Sequence, residues 1–318
     1  LKRWLVYIGS VLLGLALVGA LLGGLVLALL YPTLPSLESL TDYQPKIPLR
    51  VVSTEGDLLG EFGEERRSVV TIQEVPDVMK EAILAAEDER FYQHGGVDYL
   101  SVMRAAWTNL SSGSQQGAGT ITMQVARNFF LTREKTITRK LREVLLAWKI
   151  EANLGKDEIL ELYVNQIFLG QRAYGFAAAS QIYFGKPLKD VTVAEAAMLA
   201  GLPKAPSAYN PVTNPKRAKG RQQYVLRRMH ELRYLDDAAY EDAQKAPLLV
   251  RQGLRETMPT HAEFAAEMAR QVVFEAYGEE AYTRGLTVWT TLRRADQEAA
   301  HAAVRRGLLD YDRRHGYR

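Results

Sequence analysis

Three carboxylates stand side by side at the end of a helical pattern in AILAAEDERFYQHGG, which runs from residue 82 to 96. Glu87, Asp88 and Glu89 would lie near the C-terminus of that helix, where the backbone dipole favours cations over anions. Glu87 also shares one helical face with apolar side chains spaced four residues apart, namely Met79, Ile83 and Phe91. Burial on such a face raises the pKa of a carboxyl group unless a cation or hydrogen-bond donors compensate, which is the usual preparation for general acid or base chemistry. A buried glutamate that only pairs with an arginine has the same pattern, so both interpretations stay open.

A second group of residues combines many cations with few acids. Residues 127 to 156 contain Arg127, Arg133, Lys135, Arg139, Lys140, Arg142, Lys149 and Lys156, against Glu134, Glu143 and Glu151. Lys135, Arg139 and Glu143 recur every four residues, so this acid lies among cations on one face of the predicted helix. The pattern is typical of a solvated, salt-bridged surface, and it is also what binding of a diphosphate or a lipid headgroup requires.

The composition indicates a folded chain and limits the function classes. The 318 residues are 47% hydrophobic and 24% charged, which excludes disorder by composition and provides for a sizeable core. The formal net charge of +3 is small for this length, so we expect no nucleic-acid partner. The chain has no cysteine, which excludes disulfides and thiolate metal sites.

The N-terminal residues predict a membrane anchor. An uncharged stretch from Trp4 to Tyr31 follows the basic pair Lys2 and Arg3. It exceeds the about 20 apolar residues that a helix needs to cross the hydrocarbon core of a bilayer. A cleavable signal peptide is the alternative, but its apolar region is typically only about 7–15 residues long. We therefore expect a single transmembrane helix with the rest of the chain outside the cytoplasm.

The pattern beyond the anchor predicts further regions. Residues 1–32 form the anchor, and 33–70 form a linker with two short strands around the turn at Glu55 to Asp57. Residues 71–250 read as one mainly helical domain, interrupted by the flexible segment SSGSQQGAGT. Residues 251–318, with the strand GLTVWTTL, look like the start of a following domain that is cut off.

Several segments resemble, in order, the motifs of one enzyme family. EAILAAEDERFYQHGG resembles the first motif of the peptidoglycan glycosyltransferase domain of class A penicillin-binding proteins, E-D-x-x-F-x-x-H-x-G, and GAGTITMQVARNFFL resembles the second, G-x-S-T-x-x-Q-Q. RKLREVLLAWKIE is similar to the third, R-K-x-x-E, while KDEILELYVNQIFLGQRAYGFAAASQIYFGK and TVAEAAMLAGLPKAPSAYNP are similar to the fourth and fifth. The second motif departs from the family at Gly119, where serine is usual, and at Met123, where glutamine is usual.

The resemblance implies a lysozyme-like, mainly α fold that polymerises lipid II into β-1,4 glycan strands and releases undecaprenyl diphosphate. Glu87 would be the general base that takes the proton of the acceptor 4-hydroxyl in an inverting displacement. Cations would stabilise the diphosphate leaving group, and Glu143 would be the second catalytic residue, orienting these cations or a divalent ion. The substrate-binding residues expected from the resemblance are Asp88, Phe91, His94, Arg104, Thr120, Gln124, Arg127, Asn128, Lys135, Arg139, Lys140 and Asn165.

The resemblance also implies cofactors, partners and location. Mg²⁺ or Mn²⁺ is a candidate cofactor and Glu143 its candidate ligand, and no organic cofactor is expected. The expected partners are lipid II, the growing glycan strand, membrane lipid and regulators of cell-wall synthesis, and the expected location is the cytoplasmic (inner) membrane. Because the lipid tail of the substrate stays in the bilayer, apolar residues such as Leu100, Met103 and Trp107 are candidates for lipid contact, although we expect Trp107 to lie in the core.

Two other functions remain as alternatives. A lysozyme-like hydrolase or lytic enzyme could share the fold and a catalytic glutamate, but it needs no cation cluster for a diphosphate. A membrane-anchored scaffold without catalysis is supported only by the departures at Gly119 and Met123. Transpeptidase chemistry is not expected from these residues, because no serine is followed by lysine at the third position and no K-T-G occurs.

Overall fold

The computed structural model is predominantly helical, as the sequence predicts. It describes residues 7, 10, 13–14, 17–19, 21, 23–25, 28–41, 45–112, 117, 119–131, 136–247, 250–251 and 261–316.

The α-helices, in chain order, are α1 (Glu38–Thr41), α2 (Asp77–Glu87), α3 (Tyr99–Ser112), α4 (Ile121–Phe130), α5 (Ile137–Glu151), α6 (Lys156–Gln166), α7 (Phe176–Phe184), α8 (Val193–Gly201), α9 (Pro215–Glu231), α10 (Asp237–Lys245), α11 (Glu263–Tyr277) and α12 (Arg294–His315). The strands are β1 (Leu49–Val52), β2 (Leu58–Phe62), β3 (Arg66–Arg67), β4 (Ala173–Tyr174) and β5 (Thr287–Trp289). Short 3₁₀ helices cover Tyr31–Thr33, Ile72–Glu74, Phe91–Gln93, Leu188–Asp190 and Gly278–Tyr282.

The chain divides by packing into two compact units, and each is built from two separate stretches of sequence. The first unit combines Leu1–Tyr43 with Phe91–Ile159, and the second combines Gln44–Arg90 with Leu160–Arg318. The domain boundaries predicted at residues 32, 70 and 250 divide the chain into consecutive segments, whereas each compact unit combines two separate stretches. These boundaries stay predictions.

The predicted membrane anchor lies partly outside the described residues. Those that are described between Tyr7 and Leu30 are helical. Within the described part of the chain, no helix is both long enough and apolar enough to cross a membrane. The single transmembrane helix therefore stays a prediction.

The first unit is held together by the packing of α4 on α5. Val97, Met123 and Ala147 form a buried apolar cluster there. Thr120 caps α4, because its Oγ1 accepts a hydrogen bond from Met123 N at 3.2 Å and donates one to Gly96 O at 2.6 Å. This hydroxyl therefore ties the loop that precedes α3 to the start of α4.

The second unit contains a group of three helices, α2, α8 and α9, that pack on one another. Helix α8 is buried from Ala194 to Gly201 and is rich in alanine, which allows its neighbours to approach closely. A Cβ atom at Gly201 would lie 2.9 Å from Cγ of Arg221 in α9. Glycine therefore leaves room for the stem of this arginine where it crosses α8.

A three-stranded sheet in the second unit connects the two ends of its sequence. Strand β1 lies in the middle, antiparallel to β2 and parallel to β5. Val51 and Leu59 point into a small core with Ala262 and Ala266, next to α11. The predicted strands around Glu55 and in GLTVWTTL are confirmed, whereas their pairing with each other was not predicted.

We expect Gly96→Ala to destabilise the first unit. Gly96 has φ of +86°, and an added Cβ would lie 2.9 Å from Ala147 O and 3.2 Å from Cγ of Glu151. Left-handed backbone at a non-glycine residue costs about 1–3 kcal/mol, and the close contact adds to that cost. Urea unfolding measures the loss.

The neighbouring glycine provides the control. A Cβ atom at Gly95 meets nothing within 4 Å. Gly95→Ala should therefore change the free energy of unfolding by no more than about 0.5 kcal/mol. Equal losses in the two variants would contradict the proposed strain at Gly96.

Candidate functional site

Glu87 is the last residue of α2, and a cation from another helix lies beside it. The Glu87 side chain is 12% exposed, and its Oε1 lies 4.0 Å from Nη2 of Arg221, whose side chain is 9% exposed. Asp88 is buried and ends the helix, because its backbone (φ −160°, ψ 79°) leaves the helical region while its N–H still donates to Leu84 O at 3.0 Å. The predicted partial burial of Glu87 is confirmed, and α9 supplies a compensating positive charge. This geometry suits a general base and is equally that of a buried ion pair.

Glu89 makes a tighter ion pair with the same helix. It contacts Nη2 of Arg228, which also contacts Glu231. Burial alone would lower the pKa of the Arg228 guanidinium, but the hydrogen bond to Glu231 and the charge of Glu89 outweigh that effect and raise it. Glu89 is thus committed to a direct ion pair, whereas the Glu87 oxygen lies at the outer limit of one.

The loop that follows these carboxylates is braced from α6. In the first unit, Phe91 is fully buried, and Nζ of Lys156 lies 4.3 Å from the centre of its ring. The same ammonium donates to His94 O at 2.6 Å and to Glu151 Oε1 at 2.8 Å. Thr122 Oγ1 donates to that carboxylate oxygen at 2.6 Å. This network fixes the backbone at His94.

The two departures from the second motif are compatible with the fold. Met123 is 3% exposed and packs against Val97 and Ala147 in the core of the first unit. Gly119 is exposed, and a Cβ atom there would meet nothing within 4 Å, so the usual serine would fit. Thr120 and Gln124 of the same motif are both buried, and Thr120 is the cap of α4.

The cations of α5 surround one buried acid. Glu143 is 2% exposed, and its two carboxylate oxygens bind different partners. Oε1 contacts Nη1 of Arg139, and Oε2 accepts from Nζ of Lys140 at 2.9 Å. Partial burial lowers the pKa of the Lys140 ammonium, and the charges of Arg127 and Arg139 lower it further. Arg127, Arg139 and Lys140 therefore form a cation cluster that carries more positive charge than Glu143 neutralises, while Lys135 lies outside the described residues.

A metal ion does not fit at Glu143. Each of its carboxylate oxygens already binds a cationic side chain of α5. Among the described residues, no group of three or more histidine, cysteine, aspartate or glutamate side chains could hold a metal ion. The expected divalent cation stays a prediction, and Glu143 is not suited to be its ligand.

The remaining predicted site residues lie in different environments. Asn165 in the second unit donates to Val70 O at 2.8 Å and to Glu161 O at 3.0 Å, so both amide donors are used inside the protein. Arg104 donates to Ser101 Oγ at 2.7 Å on α3, and Asn128 is exposed on α4. A substrate-binding role for these residues stays a prediction.

Helix α3 exposes a continuous apolar stripe. Leu100, Met103 and Trp107 are 58%, 60% and 73% exposed, and Leu110 continues the row at 85%. Our expectation that Trp107 lies in the core is wrong. Helical spacing alone cannot distinguish a core face from an exposed apolar face, because both have the same period.

Several residues of these networks, including Arg221, Glu151 and Lys156, were not among the predicted site residues. Arg221 lies beyond the fifth motif, and Glu151 and Lys156 were noted only as members of a charged segment. The available signal for Arg221 was its position among the apolar residues that recur along one face of α9. A cation buried on such a face requires a partner. The identity of that partner depends on helix packing and not on sequence spacing.

Residues 55–230 match a family model described as Transglycosylase. This range includes α2 with Glu87, the cation cluster around Glu143, and all but the last residue of α9, with Arg221. The chain belongs to the transglycosylase family. The resemblance found in the motifs is thereby confirmed.

The transglycosylase is also similar to longer proteins. It is 51% identical over 319 residues to "Penicillin-binding protein 1A" of Neisseria gonorrhoeae, covering 100% of this chain and 40% of that protein. With the protein of the same name from Pseudomonas aeruginosa it shares 51% identity over 290 residues, which cover 91% of this chain and 35% of that one. A crystal structure of Penicillin-Binding Protein 1A from Haemophilus influenzae is similar with 34% identity and a TM-score of 0.49, over 86% of this chain and 31% of that chain. The transglycosylase spans about 40% of the length of the first of these relatives.

We expect Glu143→Gln to destabilise this transglycosylase. The change leaves the cations of α5 without their buried counter-charge, and hydrogen bonds to charged groups contribute about 1.5–3 kcal/mol each. The free energy of unfolding measures the loss. Glu241→Gln is the control, because Glu241 pairs with Lys245 on the surface, with side chains 66% and 74% exposed. That change should cost about 1 kcal/mol or less, and an equally small cost for Glu143→Gln would show that Glu143 does not stabilise the cation cluster.

Proposed function

We propose that this chain is a peptidoglycan glycosyltransferase that polymerises lipid II into β-1,4 glycan strands. The observation that carries the proposal is the position of Glu87, a largely buried carboxylate held 4.0 Å from a guanidinium, in a transglycosylase. Such a carboxylate can remain ionised while it is shielded from water, and a general base needs both properties.

The proposed reaction is a displacement at the anomeric carbon of the donor. Glu87 accepts the proton of the acceptor 4-hydroxyl while that oxygen forms the new glycosidic bond. The bond from the anomeric carbon to the diphosphate breaks, and undecaprenyl diphosphate leaves with the electron pair. Attack from the opposite face converts the α-linked donor to a β-linked product.

The cation cluster is the proposed site for the leaving group. Arg127, Arg139 and Lys140 carry three positive charges against the single charge of Glu143. Fixed positive charge stabilises the negative charge that develops on a departing diphosphate. Glu143 positions Arg139 and Lys140 in this proposal, and no step depends on a metal ion.

The alternatives explain less of what is observed. A lysozyme-like hydrolase has no use for an excess of cations around a leaving group that is a sugar hydroxyl. The scaffold interpretation rested on Gly119 and Met123, but Met123 fills the core of the first unit and Gly119 has room for the usual side chain. Neither departure argues for loss of catalysis.

The proposal includes a location. The uncharged stretch before Tyr31 would anchor the chain in the cytoplasmic membrane by a single helix, with the transglycosylase domain on the extracytoplasmic side. The exposed apolar stripe of α3 would contact the bilayer in which the substrate tail remains. Regulators of cell-wall synthesis and the growing strand are the further proposed partners.

We expect Glu87→Gln to abolish most polymerisation of labelled lipid II. The amide cannot accept the hydroxyl proton, so turnover should fall by roughly 10²–10⁴-fold, while binding of the phosphoglycolipid moenomycin is largely retained. Separation of polymer, substrate and cleavage fragments measures the activity. Asp77→Asn is the control, since this aspartate lies on the same helix with its side chain 89% exposed. Polymerisation by Glu87→Gln at the parent rate would contradict the assignment of Glu87.

The parent chain itself distinguishes the alternatives. Digestion of preformed glycan by the parent without polymerisation would support a hydrolase, and the absence of both activities would support a scaffold.

We also expect the apolar stripe of α3 to contact lipid. The chain has no cysteine, so a spin label can be placed at single sites by Met103→Cys and by Asn109→Cys on another face of the helix. In nanodiscs, the label at 103 should be accessible to a lipid-soluble relaxation agent and the label at 109 to a water-soluble one. Water-soluble access at both sites would exclude the membrane contact.

A further inference from the structure

A cleft lies between α9 and α10 in the second unit, beyond the last of the sequence motifs. Its volume is about 410 Å³, within the range of about 300–1,000 Å³ that is typical of small-molecule sites. Lys219 joins the two helices here, because its Nζ donates to Gln244 O at 3.2 Å. The lining residues, none of which was expected in the substrate site, are Gly220, Gln223, Tyr224, Arg227, Tyr240 and Gln244.

The fold does not require glycine at position 220. Gly220 lies in the interior of α9, where glycine destabilises a helix relative to residues that have a side chain. Its φ is not positive, and an added Cβ atom would meet nothing within 4 Å. What this glycine provides is open space in the cleft, at a cost to the stability of the helix.

Tyr240 presents an aromatic ring that is held in place on one side. The His230 ring stacks on it, with ring centres 4.6 Å apart and planes 10° apart. His230 is itself fixed by Asp237, whose Oδ1 lies 2.8 Å from its Nε2. Because one face of the Tyr240 ring is covered, the other face and the edge remain for a ligand. An aromatic face attracts weakly positive C–H groups, such as those on the apolar face of a sugar ring.

The polar groups of the cleft have unused hydrogen-bonding capacity. Within the described part of the chain, the side-chain amides of Gln223 and Gln244 and the hydroxyl of Tyr240 make no hydrogen bond. Each amide offers two N–H donors and a carbonyl acceptor. Groups that donate and accept side by side match the hydroxyl and acetamido substituents of a sugar, which do the same.

Arg227 gives the cleft a positive charge. Its Nε lies 3.8 Å from Oε1 of Glu231, beyond hydrogen-bond distance, and the two side chains are 58% and 45% exposed. The Tyr224 ring lies between cations, with its centre 4.5 Å from the guanidinium carbon of Arg221 and 5.7 Å from that of Arg227. None of the six lining residues is acidic. The planar guanidinium of Arg227 is therefore suited to bind a carboxylate of the ligand.

We infer that this cleft binds a saccharide unit that carries both an N-acetyl group and a carboxylate. The apolar face of the sugar lies on Tyr240, the amides of Gln223 and Gln244 bind its polar substituents, and Arg227 binds the carboxylate. The inference goes beyond the proposed function, because binding here involves no reaction and no catalytic residue. Only the expectation that cell-wall glycan supplies such units rests on the proposed function.

The test is a titration of the full chain in detergent with N-acetylmuramic acid, followed by saturation-transfer NMR. The parent should bind this sugar saturably. Gly220→Gln should fold at least as stably as the parent, since it replaces a glycine inside a helix, and it should weaken binding at least about tenfold by filling the cleft. The matched control is Gly307→Gln, which replaces an exposed glycine of α12 where an added Cβ also meets nothing within 4 Å, and it should bind as the parent does.

Two smaller compounds test the separate contacts. N-acetylglucosamine has the same ring and N-acetyl group without the carboxylate, so it should bind about fivefold more weakly. Arg227→Gln should lower the affinity for N-acetylmuramic acid to that level and leave the affinity for N-acetylglucosamine unchanged. Lactate carries the carboxylate without the sugar, and it should show no saturable binding.

The outcomes separate this inference from the proposed function. The inference is overturned if the parent does not bind N-acetylmuramic acid, or if Gly220→Gln binds it as tightly as the parent, since the sugar would then occupy another part of the chain. Lactate binding equal to that of N-acetylmuramic acid would also overturn it, because a basic helix attracts any anion. A parent that makes no polymer yet loses sugar binding on Gly220→Gln would refute the proposed function and leave this inference standing.

Discussion

The central constraint on this protein is the presence of carboxylates at the negative end of a buried helix. The dipole of α2 and the loss of water both disfavour negative charge at this end of the helix. Helix α9 removes this conflict by presenting Arg221 and Arg228 two turns apart on the face that packs against α2. The close approach of these helices depends in turn on α8, whose small side chains leave room for the arginine stem at Gly201.

The first unit contains the opposite arrangement, in which cations outnumber one acid. Glu143 lies at a buried position of α5 and binds Arg139 and Lys140 with separate oxygens, so it organises the cluster without neutralising it. In the same unit, Lys156 and Glu151 brace the backbone at His94 by a different ion pair. Each unit therefore uses buried charge to fix side chains or backbone in place, and the remaining positive charge of the cluster is available to an anion.

Particular residues show where sequence reasoning succeeded and where it failed. The half-burial of Glu87 followed from the period of the apolar residues around it, and the helical character of the chain followed from the same signal. Trp107 has helical spacing as well, yet it is exposed, because periodicity reports which residues share a face and not whether another element covers that face. Met123 looked like a change in loop chemistry but is a core residue, since α4 turns it towards Val97 and Ala147.

The amino-acid sequence by itself determined the helical class, the family motifs, the position of the carboxylates and the excess of cations around Glu143. These are local properties, set by residue type and by spacing along one helix. Only the tertiary structure decided that Arg221 faces Glu87, that Lys156 holds the loop at His94, and that β1 pairs with β5. The physical reason is that these contacts join residues far apart in sequence, and which side chains meet depends on how the helices and strands pack.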